Sequence, residues 1–271
     1  MVKRGSIAIA GLGAIGAKVA RVLDSGAIPG LALAAVSGRD PGRTRRFAES
    51  LQTAPLTEAT EALARHAEIV VDCAPSGVFA GLARSAVEAG RVLVTVNAGA
   101  LLQHLDLVER AKATGGRIVV PTGALLGLDA VRAAAEGTID RVTMITRKPP
   151  KGLEGAPYLV QHGISLEGLD APKRVFKGTA GDGARGFPAN VNVAAALSLA
   201  GIGPERTTLE IWADPTVDRN IHRIEVDSDS ARLVLQIENV PSEENPRTGK
   251  ITALSVIACL RGLVAPLKVG S

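Results

Sequence analysis

The run Ser6-Ile7-Ala8-Ile9-Ala10-Gly11-Leu12-Gly13-Ala14-Ile15-Gly16-Ala17-Lys18-Val19-Ala20 constrains the chain more than any other stretch. A short β-rich segment ends in Gly-x-Gly-x-x-Gly, and an apolar pattern with helical spacing follows at once. In that order the glycines have separate tasks. Gly11 permits a tight turn, Gly13 lets backbone approach a pyrophosphate, and Gly16 lets the following helix pack close on its strand. The N-terminus of that helix favours phosphate charge. Gly11, Gly13, Ala14, Ile15 and Gly16 are therefore the expected dinucleotide contacts, against the plainer alternative of a glycine-rich strand–turn–helix with no ligand.

About twenty residues beyond the last glycine, a NAD-preferring site places an acidic residue on the ribose hydroxyls. Here the second expected strand, 31–36, runs into Ser37-Gly38-Arg39-Asp40, with no carboxylate at the tip. Ser37 can hydrogen-bond a 2′-phosphate, and Arg39 can pair with it because guanidinium meets phosphate oxygens bidentately. A solvated Arg39, with Asp40 on the ribose slightly further on, is the alternative. The pattern tilts the cofactor from NAD towards NADP, with Ser37 and Arg39 as contacts.

The 271 residues are 46% hydrophobic but only 2% aromatic, enough for a substantial core of Ala, Val, Leu and Ile and for two domains. The net charge of +4 is scattered rather than striped, which argues against nucleic acid as a partner. Arg43, Arg45 and Arg46 cluster behind the second strand, near an anionic cofactor or on a solvated helix face. Cys73 and Cys259 lie far apart in apolar surroundings, which reads as reduced, buried thiols and a cytoplasmic location. No apolar run reaches membrane-spanning length, the first strand begins without a signal peptide, and no metal site is expected.

Strands and helices alternate through roughly the first 120 residues, the pattern of a parallel sheet. Strands are expected at 69–74, 91–96 and 117–120, with helices at 79–89 and 105–113. In such sheets ligands bind beyond the carboxyl ends of the strands. Three loops meet that description: Ala74-Pro75-Ser76, Asn97-Ala98-Gly99 and Pro121-Thr122-Gly123. Ala74, Pro75, Asn97 and Ala98 join the expected cofactor contacts, although turn chemistry alone explains any one of these loops. After about residue 125 the texture changes. Segments 138–147, 173–180, 207–213, 221–227 and 232–238 read as strands separated by Gly/Pro-rich loops, with an alanine-rich helix at 190–201 and a closing helix at 251–264. The expected fold is α/β: a Rossmann-type doubly wound parallel sheet with a second α+β domain carrying a largely antiparallel sheet.

Four stretches carry a family resemblance. They are Val142-Thr143-Met144-Ile145-Thr146-Arg147-Lys148-Pro149-Pro150, Phe187-Pro188-Ala189-Asn190-Val191-Asn192-Val193-Ala194-Ala195-Ala196, Asn220-Ile221-His222-Arg223-Ile224, and Glu238-Asn239-Val240-Pro241-Ser242-Glu243-Glu244-Asn245-Pro246-Arg247-Thr248. Through them the chain resembles the L-aspartate dehydrogenases over nearly its whole length. The resemblance implies a homodimer that oxidises L-aspartate with NAD(P) to iminoaspartate, which hydrolyses to oxaloacetate and ammonia or feeds NAD biosynthesis. The change of texture gives a dinucleotide-binding domain at 1–125 and a substrate-binding domain at 126–241, to which the resemblance adds dimerisation, and the apolar closing segment at 242–271 is expected to pack back on the first.

The family's catalytic histidine falls on His222. Hydride transfer from an amino acid needs a neutral amine, and imine hydrolysis needs an activated water, two tasks suited to imidazole. His162, in a loop, is the fallback base, and His66 and His104 read as surface residues. Thr122, Asn190, Asn192 and His222 are expected at the substrate, and Ala124 and Asn192 at the cofactor; helix capping is the plain alternative for Asn192. Arg147 and Lys148 are placed to attract a diacid, although a charged pair before Pro-Pro reads more plainly as a solvated loop, and Asn239 and Asn245-Pro246-Arg247-Thr248 read as a turn joining the domains. The chain departs from the family pattern where Thr122 replaces serine, Leu126 replaces glycine and Asn97 replaces serine. Those departures leave open a related dehydrogenase or reductase of another amino or keto acid. A dinucleotide-sensing protein without turnover is the reading from another class, and an intact Asn-x-His argues against it.

Overall fold

The computed structural model describes residues 5–188, 191–245 and 248–270. Its strands are β1 (Gly5–Ala10), β2 (Leu31–Ser37), β3 (Leu56–Thr57), β4 (Ile69–Asp72), β5 (Val92–Thr95), β6 (Arg117–Val119), β7 (Ile139–Lys148), β8 (Lys173–Thr179), β9 (Thr207–Ala213), β10 (Asn220–Ser228) and β11 (Arg232–Asn239). Its α-helices are α1 (Ala14–Asp24), α2 (Pro41–Glu49), α3 (Phe79–Glu88), α4 (Ala98–Leu101), α5 (Asp106–Thr114), α6 (Leu128–Ala135), α7 (Pro157–Gln161), α8 (Ala180–Gly186), α9 (Asn192–Ala200) and α10 (Lys250–Gly262). They form two compact units, the first reaching Pro121 and adding Thr252–Val269, the second spanning Thr122–Ile251.

In the first unit, six parallel strands run in the order β3-β2-β1-β4-β5-β6. The alternation in β1 explains why helices cover both faces. Ile7 and Ile9 point into a core with Val19 and Leu23 of α1, Ala48 of α2, and Val256 and Leu260 of α10. Ala8 and Ala10 point the other way, towards Phe79, Leu82 and Ala86 of α3 and Leu107 of α5. Each fully buried Ile or Val contributes ~1.5–3 kcal/mol. Rim ion pairs such as Arg110–Glu88, 3.3 Å apart and exposed, contribute ~0–1 kcal/mol, so the core holds the sheet. The helix face offered as one reading of Arg43, Arg45 and Arg46 is α2, which Asp40 starts by accepting the Arg43 N–H at 2.9 Å, with Pro41 in the first turn. Strand order reverses between β1 and β4, the switch point where such sheets open a crevice beyond their carboxyl ends.

The second unit holds a five-stranded sheet in the order β11-β10-β7-β9-β8. Its neighbours are antiparallel except β7 and β9, which run parallel. One face is buried: Val142 and Met144 of β7, Leu209 and Ile211 of β9, and Ile224 and Val226 of β10 share a core with Val131 of α6, Phe187, and Ala194 and Leu197 of α9. Phe176 and Phe187 belong to that core and Tyr158 packs against it, with Phe176 edge-on to each of the others at 5.2 and 5.5 Å. Helix α8, unforeseen from the sequence, begins with a reciprocal cap between Thr179 and Asp182. The helix expected at 190–201 is helical from Asn192 to Ala200.

Candidate active site

The glycine turn joins β1 to α1, and its three glycines differ in what surrounds them. Gly11 has φ +87°, and a Cβ there would sit 2.5 Å from the Cys73 carbonyl oxygen. A Cβ on Gly16 would overlap the Gly11 carbonyl oxygen. Both are therefore required by the chain's own packing. Gly13 is different: it is exposed, and a Cβ there would meet nothing within 4 Å. Gly13 is also the N-cap of α1, which has no side-chain cap and no acidic residue in its first turn. The N–H groups opening α1 are thus offered to an anion from outside the chain, and the residues present fit a dinucleotide pyrophosphate.

The ends of β4 and β5 are tied by one buried carboxylate. Asp72 Oδ2 accepts the Thr95 hydroxyl at 2.7 Å and Asn97 Nδ2 at 2.9 Å, while Oδ1 accepts the Ala74 N–H at 3.1 Å. Burial pushes the Asp72 carboxyl above its ordinary range, opposed by the Asn97, Thr95 and Ala74 donors. Asn97 Nδ2 also donates to the Ala74 carbonyl at 2.9 Å. The Asn97 side chain, expected at the cofactor, is instead directed inward, 7% exposed, and holds the Ala74-Pro75 turn in place. Ala98 opens the four-residue helix α4 behind it.

At the tip of β2, Ser37 is 2% exposed, and its hydroxyl lies 2.9 Å from that of Thr60. Of the two residues expected at a 2′-phosphate, the serine hydroxyl thus serves the fold, and Arg39 is the exposed one. Asp40 is engaged in capping α2.

In the second unit, antiparallel pairing places His222 of β10 directly opposite Thr146 of β7. The Thr146 hydroxyl and His222 Nδ1 share a hydrogen bond of 3.1 Å. Period-two alternation puts Thr146 on the same face as Val142 and Met144, so the histidine belongs to the buried side of the sheet, 3% exposed. Burial first, and then the charge of Lys148, lower its pKa to about 3, so the imidazole is neutral. Lys148 itself corrects the sequence reading. It is the last residue of β7, buried rather than solvated, and burial lowers its pKa to about 8. Arg147 faces the other way, over the Trp212 ring at 5.6 Å and 3.3 Å from Asp214. The Asp214 N–H donates to the Lys148 carbonyl at 2.8 Å, which fixes the end of the strand.

Asn239, read from sequence as part of a linking turn, is the last residue of β11. Its Nδ2 donates to the Ala124 carbonyl at 3.0 Å, so it anchors the backbone next to Thr122. Asn192 is the exposed first residue of α9, and Val191, not Asn192, is the cap. Asn190 lies outside the described residues. The remaining histidines are engaged elsewhere: His66 lies 3.3 Å from Glu58, His104 lies beside Phe79, and exposed His162 stacks on Tyr158 at 4.0 Å. No cluster of His, Cys, Asp or Glu among the described residues is arranged to hold a metal.

Residues 11–121 match the family described as homoserine dehydrogenase, NAD binding domain, and residues 129–263 match the family described as aspartate dehydrogenase, C-terminal. The chain is 55% identical over 265 residues to an L-aspartate dehydrogenase of Bradyrhizobium diazoefficiens, covering 98% of this chain and 94% of the relative. It is 52% identical to L-aspartate dehydrogenase 3 of Bordetella bronchiseptica, covering 98% and 97%. The crystal structure of aspartate dehydrogenase from Thermotoga maritima shares the fold with a TM-score of 0.74 at 21% identity, covering 98% of this chain and all of that one. With a dinucleotide turn in one unit, a buried neutral histidine in the other and relatives that span both, the chain belongs to the L-aspartate dehydrogenase family.

Proposed function

We propose that this protein is an NAD(P)-dependent L-aspartate dehydrogenase with His222 as its acid–base residue. The observation that carries the reading is the buried, neutral imidazole, held at Nδ1 by Thr146, in a chain more than half identical to a named L-aspartate dehydrogenase. The nicotinamide ring, when bound, supplies the hydride acceptor. L-Aspartate loses a hydride from Cα and a proton from nitrogen to become iminoaspartate. Water adds to the C=N bond, ammonia leaves, and oxaloacetate remains. With Nδ1–H of His222 donating to the Thr146 hydroxyl, Nε2 carries the lone pair; it takes the proton from the ammonium group, passes it to solvent, and later takes one from the adding water. A dicarboxylate in the site opposes the Lys148 charge that lowers this histidine's basicity. Iminoaspartate that leaves before water adds is the form that feeds NAD biosynthesis.

The backbone at Gly13, Ala14, Ile15 and Gly16 holds the pyrophosphate, the Ala74-Pro75 turn and Ala124 flank the cofactor, and Thr122, Asn190 and Asn192 serve the substrate. The protein acts as a homodimer in the cytoplasm. The open face of the second sheet, with Trp212 half-buried and Val234 48% exposed, offers a self-association surface. Cys73 and Cys259 are free thiols, and no helix among the described residues is long and apolar enough to cross a membrane.

The test follows NADH and NADPH formation at alkaline pH with a panel of amino acids, paired with light scattering for the assembly state. L-Aspartate is expected to be the preferred substrate. Turnover of a different amino acid with none on aspartate favours the related-dehydrogenase reading, for which half-buried Leu126 is the motivating feature. Dinucleotide binding without any turnover ends the enzyme reading.

A further inference from the structure

Alternation carries Val142, Met144, Thr146 and Lys148 onto one face of β7, so a stripe that begins apolar ends in an ammonium group. Lys148 is 6% exposed and lines a cavity of about 490 Å³ together with Pro149, Gly152, Arg219, Asn220 and Asn245. That volume is in the range of small-molecule sites. The charged lining consists of Lys148, Lys151 and Arg219 against Glu154 and Asp218. Three cations against two carboxylates give the wall a net positive charge. Lys151 and Glu154 are exposed, so Lys148 is the cation with a fixed place and a low-dielectric setting, where a charge-assisted hydrogen bond is strongest.

Its place relative to the proposed base selects the ligand group. Lys148 stands two residues along the strand from Thr146, the partner of His222, a step of ~6.6 Å. The histidine acts at the amine-bearing carbon, to which one carboxylate is directly bonded. The more distant carboxylate of a four-carbon diacid is the one that suits a cation set further along the strand.

We infer that Lys148 binds the side-chain carboxylate of the substrate and so selects dicarboxylic over monocarboxylic amino acids, an inference that rests on the aspartate reading above. Charge is what the site requires here, so Lys148→Arg retains part of the function and Lys148→Met does not. The probes are succinate and butyrate, unreactive acids of equal chain length with two carboxylates and one. Their binding to the full-length protein with NADP⁺ is measured by calorimetry, beside steady-state kinetics with L-aspartate. Wild type is expected to bind succinate more tightly than butyrate. In Lys148→Met that preference collapses and the KM for aspartate rises roughly 10–100-fold, with a smaller change in kcat. Lys148→Gln keeps a polar head in the same space and guards against a packing defect; it is expected to behave as the methionine variant does. A folded Lys148→Met or Lys148→Gln protein that keeps both the succinate preference and the wild-type KM overturns the inference while leaving the aspartate reading intact. Wild type that prefers succinate through Lys148 yet fails to oxidise aspartate does the reverse.

Discussion

The Thr146 hydroxyl and the Nδ1 atom of His222 meet at 3.1 Å across β7 and β10, at a directly paired position of two antiparallel strands. Each strand is hydrogen-bonded to a further neighbour on its other side, so neither residue sits on a sheet edge. The backbone ladder therefore sets the ring's position, and the threonine sets its orientation. That division separates the two residues experimentally.

His222→Asn is expected to lower kcat/KM for aspartate by ~10²–10⁴, the usual contribution of a positioned acid–base group. Thr146→Val keeps the imidazole but releases its orientation, and a smaller loss of ~10-fold is expected. Both variants should bind NADPH as wild type does, measured by quenching of protein fluorescence. Turnover by His222→Asn within threefold of wild type would falsify the assignment of the base.

Two buried basic groups also make stability depend on pH. The pKa of His222 is about 3 in the folded chain against 6.5 ordinarily, so between those values the unfolded chain binds more protons. Its contribution is fully present above pH 6.5 and is lost as pH falls towards 3, with a slope of at most ~1.4 kcal/mol per pH unit. Lys148 behaves alike in a higher window: from pH 8 to 10.5 the unfolded chain again holds more protons, and stability rises with pH. Melting temperatures across both windows should show a flatter acid limb for His222→Asn than for wild type, and a flatter alkaline limb for Lys148→Met. Parallel curves for variant and wild type would mean that these groups are solvated.

The glycines of the first turn divide into structural and ligand-facing. Gly16→Ala drives a methyl into the Gly11 carbonyl, and overpacking of this kind costs ~1–3 kcal/mol or more. Gly13→Ala places its methyl in open space and should leave stability within ~0.5 kcal/mol of wild type. Its cost is expected in dinucleotide affinity, because backbone approach to the pyrophosphate is what the missing side chain permits. Thermal unfolding alongside NADPH titration separates the two. A Gly13→Ala protein with unchanged affinity would place the phosphate elsewhere.

The parts of this molecule legible in sequence are those fixed by local periodicity. The glycine turn and the strand before it are contiguous, and the second sheet's strands show alternation over seven to ten residues. What escaped depends on contacts distant in sequence. Ser37 and Asn97 are polar residues at strand tips, the profile of ligand contacts, yet they bond Thr60 and Asp72, 23 and 25 residues away. Lys148 precedes two prolines and resembles a loop residue. Only its alternation with Val142, Met144 and Thr146 signals burial, and that signal gains force once β9 and β10 are known to flank β7. The pairing of Thr146 with His222 spans 76 residues and no local pattern reports it.

Asp72 provides the final test, because its three neighbours are all donors. Thr95 Oγ1 accepts the Asn97 N–H at 3.0 Å, which leaves the threonine proton for Asp72 Oδ2, where Asn97 Nδ2 also donates. The Ala74 N–H takes Oδ1. A carboxylate satisfies all three, whereas an amide offers one oxygen and turns an NH₂ group towards at least one donor. Asp72→Asn is therefore expected to destabilise the first unit by ~1–3 kcal/mol, even though it relieves the burial of a charge. The damage should reach binding too, since the same bonds hold the Ala74-Pro75 turn, so NADPH affinity is expected to fall together with the melting temperature. If burial of the charge outweighs the donors, the variant will instead melt higher than wild type, and the difference will grow with pH. Unfolding curves for both proteins at pH 5 and pH 8 decide between these outcomes.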